Sequence, residues 1–183
     1  MGANPGAVLG AILGTAWKLG KDKLTIVTDA EWDSFGSWME QLIAESSGKQ
    51  GKGIIPVANE HELEPTRYQK DRIFVYLNSN NSKSSFIDSV RKAGHPAIEI
   101  TVNDSYDLGS QFYRWELATA IACTIMGVNS FDQPDVQDNK TRTVNKINDF
   151  RKEGEFREDE PVLALPYAKI FGDAEKINLK NPS

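Results

Sequence analysis

Short β-branched runs alternate with longer stretches of helical period, and that alternation constrains the fold more than any other feature. Strand-like runs stand at residues 24–28 (LTIVT), 53–57 (GIIPV), 72–77 (RIFVYL) and 97–102 (AIEITV). Helical segments follow at 32–46, 83–93, 107–126 and 134–150. Strand and helix in this order mean βαβ units, hence a mostly parallel sheet with helices on both faces. The expected fold class is α/β, a three-layer αβα sandwich with flavodoxin-like strand order. Ligands of such sheets bind beyond the carboxyl ends of the strands. Pro56 limits its run to an edge strand or a strand end. A further helix is expected over 5–20, capped by Asn4, with Pro5 at its first position and Gly20 at its end. Gly10 and Gly14 each cost that helix about 1 kcal/mol relative to Ala, which is consistent with close packing against a neighbour. Residues 153–160 are charged, and a short strand is expected near 162–165. With 183 residues the chain reads as one domain, 1–183, ending from about 151 in a charged segment and tail.

Composition narrows the function classes. Apolar residues make up 39% and charged residues 26% of the chain, with a net charge of −5. That is enough apolar material for a core. The acidic balance argues against a nucleic-acid-binding domain and against docking on an anionic membrane. No run of about 20 apolar residues exists to span a bilayer. Cys123 is the only cysteine; it allows no intramolecular disulfide and no cysteine-rich zinc site, and fits a reducing compartment. No Lys or Arg precedes the mildly apolar residues 7–17, unlike a signal peptide. The expected location is the cytoplasm.

Three positions break the pattern. Glu45 falls on the edge of the apolar stripe of the 32–46 helix, near Trp38, in the last turn. A carboxylate there opposes the helix macrodipole, and both features disfavour its charged form, as suits a general base. The plainer reading is a solvated helix-end glutamate beside Lys49 or Lys52. Lys140 sits in the middle of a face shared by Val136, Thr143, Val144 and Ile147. It is either an inward functional ammonium or a stem lying along apolar surface. Before that helix runs Asn129-Ser130-Phe131-Asp132-Gln133-Pro134. Asp132 as cap and Pro134 explain the helix start. They leave Gln133 unexplained, with its amide at a helix N-terminus where anionic oxygens are favoured.

Other signals are weaker. GKQGKG (48–53) has neither the spacing nor the strand–loop–helix order of a phosphate loop. His61 and His95 stand 34 residues apart, with no metal-ligand pattern around them; His95, in Gly-His-Pro, reads as turn chemistry. Cys123 lies within an apolar helix and reads as structural rather than nucleophilic.

GVNSFDQPDVQDNK (127–140) resembles the second signature of the glucose-6-phosphate isomerase family: an aromatic, Asp or Asn, and Gln, here Phe131, Asp132 and Gln133, then Lys140 seven residues after the Gln. QLIAESSGKQGKGIIPV (41–57) resembles the stretch around that family's catalytic glutamate, which maps to Glu45. NPGAVLGAILG, DRIFVYL, AGHP and FYRWELATA resemble the isomerase part of bifunctional transaldolase/glucose-6-phosphate isomerase proteins. The likeness covers roughly residues 4–140. Asp135 and Gln137 stand where the signature usually has Gly and Glu.

The resemblance implies a sugar-isomerase (SIS) type domain that interconverts glucose 6-phosphate and fructose 6-phosphate through a cis-enediolate. It implies that Glu45 moves the proton between C2 and C1, that Gln133 steadies the developing oxyanion, and that Lys140 acts in ring opening. The family's ring-opening histidine would fall near Thr66, and His61 is the histidine in that region. No metal or cofactor is implied. Family members resemble two SIS units in tandem, the first supplying the phosphate loop, and this chain matches the second. The expected partners are therefore the sugar phosphate, the missing first SIS domain and, in a possible homodimer, a second copy. The chain is expected to be nearly inactive alone. Two alternatives stand beside this: a non-catalytic sugar-phosphate-binding SIS module, and a structural interaction domain. Retention of Glu45, Gln133 and Lys140 together favours the enzyme.

Overall fold

A computed structural model describes residues 4–79, 81–156 and 160–172. The chain forms two compact units, Met1–Asp135 and Val136–Ser183.

The first unit opens with helix α1 (Pro5–Lys18). Its start is built as the sequence implies. Asn4 Oδ1 accepts from the Gly6 N–H at 2.8 Å and the Ala7 N–H at 3.3 Å, and Pro5 takes the first turn. Strand β1 (Lys23–Thr28) leads through a short 3-10 turn into α2 (Asp33–Ser47). Then come β2 (Ile55–Ala58), β3 (Arg72–Ser79), α3 (Ser85–Lys92), β4 (Ala97–Val102) and α4 (Leu108–Met126).

The four strands form one parallel sheet in the order β2-β1-β3-β4. Pro56 does lie in an edge strand, β2, where its missing N–H breaks no central ladder. β3 is central and buried from Ile73 to Asn78, the continuous burial of a strand covered on both faces. Its side chains alternate. Ile73, Val75 and Leu77 join the cluster under α1, α2 and α4, whereas Phe74 and Tyr76 join Phe86, Ile87 and Val90 of α3. This is the expected three-layer αβα sandwich.

α1 and α4 pack closely, and two glycines permit it. A Cβ on Gly10 would lie 2.5 Å from the Ala118 carbonyl oxygen, and one on Gly14 would lie 2.8 Å from Ile125 Cβ.

The second unit contains most of helix α5 (Pro134–Glu153) and an antiparallel hairpin, β5 (Leu163–Leu165) and β6 (Ala168–Ile170). The strand expected near 162–165 therefore pairs with a neighbour that the sequence pattern does not reveal. No residue of α5 is buried. Among the described residues no helix is long and apolar enough to cross a membrane.

Candidate active site

Two segments meet at one end of the first unit, beside the amino ends of the parallel strands rather than the carboxyl ends where ligands of such sheets are expected. The first is the end of α2 with the loop behind it. Glu45 lies in the last turn of α2 and is exposed. Exposure leaves its carboxylate in water, as in the plainer of the two sequence readings. Both carboxylate oxygens accept from amides. Gln41 Nε2, four residues back on the same helix face, donates to Oε1 at 3.1 Å. Gln133 Nε2 donates to Oε2 at 3.4 Å, across 88 residues of chain.

The second segment runs from the end of α4 to the start of α5. α4 stops because Gly127 takes φ 72°, a left-handed cap that favours glycine. The Val128 N–H returns to the Cys123 carbonyl at 3.0 Å. Asn129 Oδ1 then accepts from the Phe131 N–H at 3.0 Å, a local turn that leaves the Phe131 ring exposed. Gln133 follows, immediately before Pro134 opens α5. Its amide thus lies at a helix start, as the sequence implies.

Asp132 departs from expectation. The sequence makes it the cap of α5, but its carboxylate Oδ1 instead accepts from Lys49 Nζ at 3.0 Å. A buried ammonium competes more strongly for a carboxylate than a backbone N–H does.

Lys140 lies in the second unit. It stands on α5 among Val136, Val144 and Ile147, but it is exposed, as are those three. His61 lies exposed in the loop after β2, and no hydrogen bond among the described residues joins it to Glu45 or Gln133. His95 lies in the turn before β4. Its Nε2 is 3.2 Å from the Pro65 carbonyl oxygen, and its ring meets Tyr68 and Phe74 edge-on. Cys123 is buried, and burial pushes its thiol up despite nearby Lys49, as expected for a structural cysteine.

Two contributors to the site lie within the 41–57 stretch without being singled out by it. Gln41 is detectable from its i, i+4 spacing to Glu45. Lys49 sits in a stretch that resembles a poor phosphate loop, and only the folded arrangement shows where its side chain goes.

An exposed carboxylate held between two neutral amides, open to solvent on its remaining sides, can accept a proton and has a hydrogen-bond donor beside it. No family model matches the chain. Curated relatives do. A Leptospira biflexa protein named glucose-6-phosphate isomerase is 28% identical, over 72% of this chain and 38% of its own length. A Methanocaldococcus jannaschii protein of the same name is 26% identical, over 75% of this chain and 43% of its own length. The likeness is to glucose-6-phosphate isomerases. The chain spans about two fifths of the length of these relatives. Among solved structures, a hypothetical protein from Thermus thermophilus matches at a TM-score of 0.59 and 16% identity, over 78% of this chain and 49% of that one. That match speaks for the fold alone.

Proposed function

We propose that this chain carries the proton-transfer residues of a glucose-6-phosphate isomerase and that it interconverts glucose 6-phosphate and fructose 6-phosphate together with the remainder of such an enzyme. The observation that carries the reading is the Gln133–Glu45 hydrogen bond. It joins the two motifs that resemble the family, across 88 residues, and pairs a base with a donor. The names of the relatives support the same chemistry.

The mechanism follows from that pair. In the open-chain sugar the C2 proton is α to a carbonyl, so one positioned base can remove it. Glu45 takes that proton, and negative charge develops on the substrate oxygens as the cis-enediolate forms. The 3.4 Å bond from Gln133 to Glu45 is long and exposed, near the limit of a useful hydrogen bond. Substrate arrival exchanges it for a bond to the developing oxyanion, where a fixed donor does most for the barrier. Glu45 then returns the proton to C1 while the hydroxyl proton passes from O2 to O1, giving the isomeric sugar. Lys140 and His61 remain the candidates for ring opening.

On this reading the phosphate is held outside this chain, by the first SIS-type unit of the same enzyme. The chain then corresponds to the isomerase part of a bifunctional transaldolase fusion. It works in the cytoplasm, in glycolysis and gluconeogenesis, as part of a homodimer. A coupled assay with fructose 6-phosphate tests this. The purified 183-residue chain shows no turnover alone and gains it when joined to the first unit of a related isomerase. Full turnover by the chain alone contradicts the divided site, and no turnover after joining contradicts the isomerase reading.

A further inference from the structure

The stretch at 48–53, too short and wrongly placed for a phosphate loop, has a different use in the fold. Gln50 and Gly51 both take positive φ, 57° and 71°. That is the two-residue turn in which both central residues are left-handed. Lys49 and Lys52 close it by exchanging backbone hydrogen bonds, each 3.0 Å. Directly opposed residues of such a pair project their side chains to one side. Both ammonium groups accordingly reach the segment after α4. Lys52 Nζ donates to the Met126 carbonyl at 3.0 Å, at the negative end of the α4 dipole.

Lys49 makes the larger commitment. Its side chain is 1% exposed. Its Nζ donates to the Asn129 carbonyl at 2.7 Å, to Asp132 Oδ1 at 3.0 Å and, at short range, to the Asp132 carbonyl. An ammonium has three protons, and three acceptors meet them. A buried charge persists only when paired and hydrogen-bonded in this way. The chain positions are as informative as the bonds. Lys49 is four residues beyond Glu45, and Asp132 directly precedes Gln133.

We infer that Lys49 is a positioning residue: its buried ammonium clamps the Asn129–Asp132 turn to the end of α2 and thereby sets the approach of the Gln133 amide to Glu45. The segment that carries the base also carries the clamp that aligns its donor. The inference takes its catalytic meaning from the isomerase reading. Its structural content stands on the bonds alone.

The test is made on the 183-residue chain without substrate. In the parent chain Glu45→Gln shifts the side-chain amide resonance of Gln133, because the two groups touch. With Lys49→Met that response disappears. Backbone amide exchange over residues 128–133 rises about tenfold or more, as expected from losing hydrogen bonds to a charged group. Amides of β3 keep their protection and serve as the internal control. Should Lys49→Met loosen β3 as well, Asp132→Ala replaces it. That variant removes one exposed acceptor, and its exchange over the same residues rises about threefold with the Gln133 response weakened. A Gln133 resonance that still answers fully to Glu45→Gln in the variant used, with exchange over 128–133 within about twofold of the parent, overturns the inference. Neither readout involves turnover. Failure of the isomerase reading leaves this test intact, and failure of the clamp leaves the isomerase reading standing.

Discussion

Asp29 shows how much one carboxylate can organise at the carboxyl end of a parallel sheet. It follows β1 directly and accepts from the Tyr76 hydroxyl at 2.6 Å, the Ser79 N–H at 2.8 Å and the Ser82 hydroxyl at 2.6 Å. Burial pushes its pKa up, but the bonds from Ser82, Tyr76 and Ser79 outweigh burial and hold it below the usual carboxylate value. The folded state therefore binds fewer protons than the unfolded chain in acid. The resulting stability is complete above the unfolded pKa of about 4 and is lost as pH falls through the folded pKa. Asp29→Asn is expected to cost about 2 kcal/mol at neutral pH, with the difference shrinking steadily below about pH 4. Denaturant unfolding across that range measures it, and a difference that is constant in acid contradicts it. Asp29 is invisible in the sequence, because its side-chain partners Tyr76 and Ser82 lie 47 and 53 residues away. Glu45 and Gln133 are visible because two separate motifs carry them. Lys140 is visible for the same reason, as the close of the second motif.

At the scale of elements, the α1–α4 contact gives a sharp expectation. Ala is the better helix former, so Gly10→Ala taken alone would add about 1 kcal/mol of stability. Here the new methyl group meets the Ala118 carbonyl at 2.5 Å. Backbone cannot swing aside as a flexible side chain can, so the helices must separate. The net effect expected is a loss of about 1–3 kcal/mol. Gly109→Ala, in α4 with nothing within 4 Å of the added carbon, is expected to be neutral or to gain up to about 1 kcal/mol. Paired thermal unfolding curves check both; a more stable Gly10→Ala contradicts the packing argument. The elements themselves are largely legible. Asn4, Pro5 and Gly127 mark helix ends by local chemistry, and the β-branched runs mark strands by period. The β5–β6 hairpin is only half legible, because two three-residue strands are too short for a period to show. The role of Asp132 is misread because a cap is a local inference, whereas the group that claims it, Lys49, is 83 residues away.

For the whole molecule, the alternation of strand and helix settles the sandwich, and right-handed parallel crossovers restrict the sheet order. The fold brings Glu45 and Gln133 together at one end of that sandwich, and the proposed chemistry depends on that meeting. Solvent deuterium wash-in tests this most directly, because the base that carries the transferred proton exchanges it with solvent while the enediolate stands. In heavy water, the chain joined to a phosphate-binding first unit is expected to place deuterium at C2 of glucose 6-phosphate and C1 of fructose 6-phosphate. Glu45→Gln, with its fold intact, is expected to abolish the label, and Gln133→Ala to slow it about 10²-fold. Labelling at the parent rate by Glu45→Gln would contradict the assignment of Glu45 as the base.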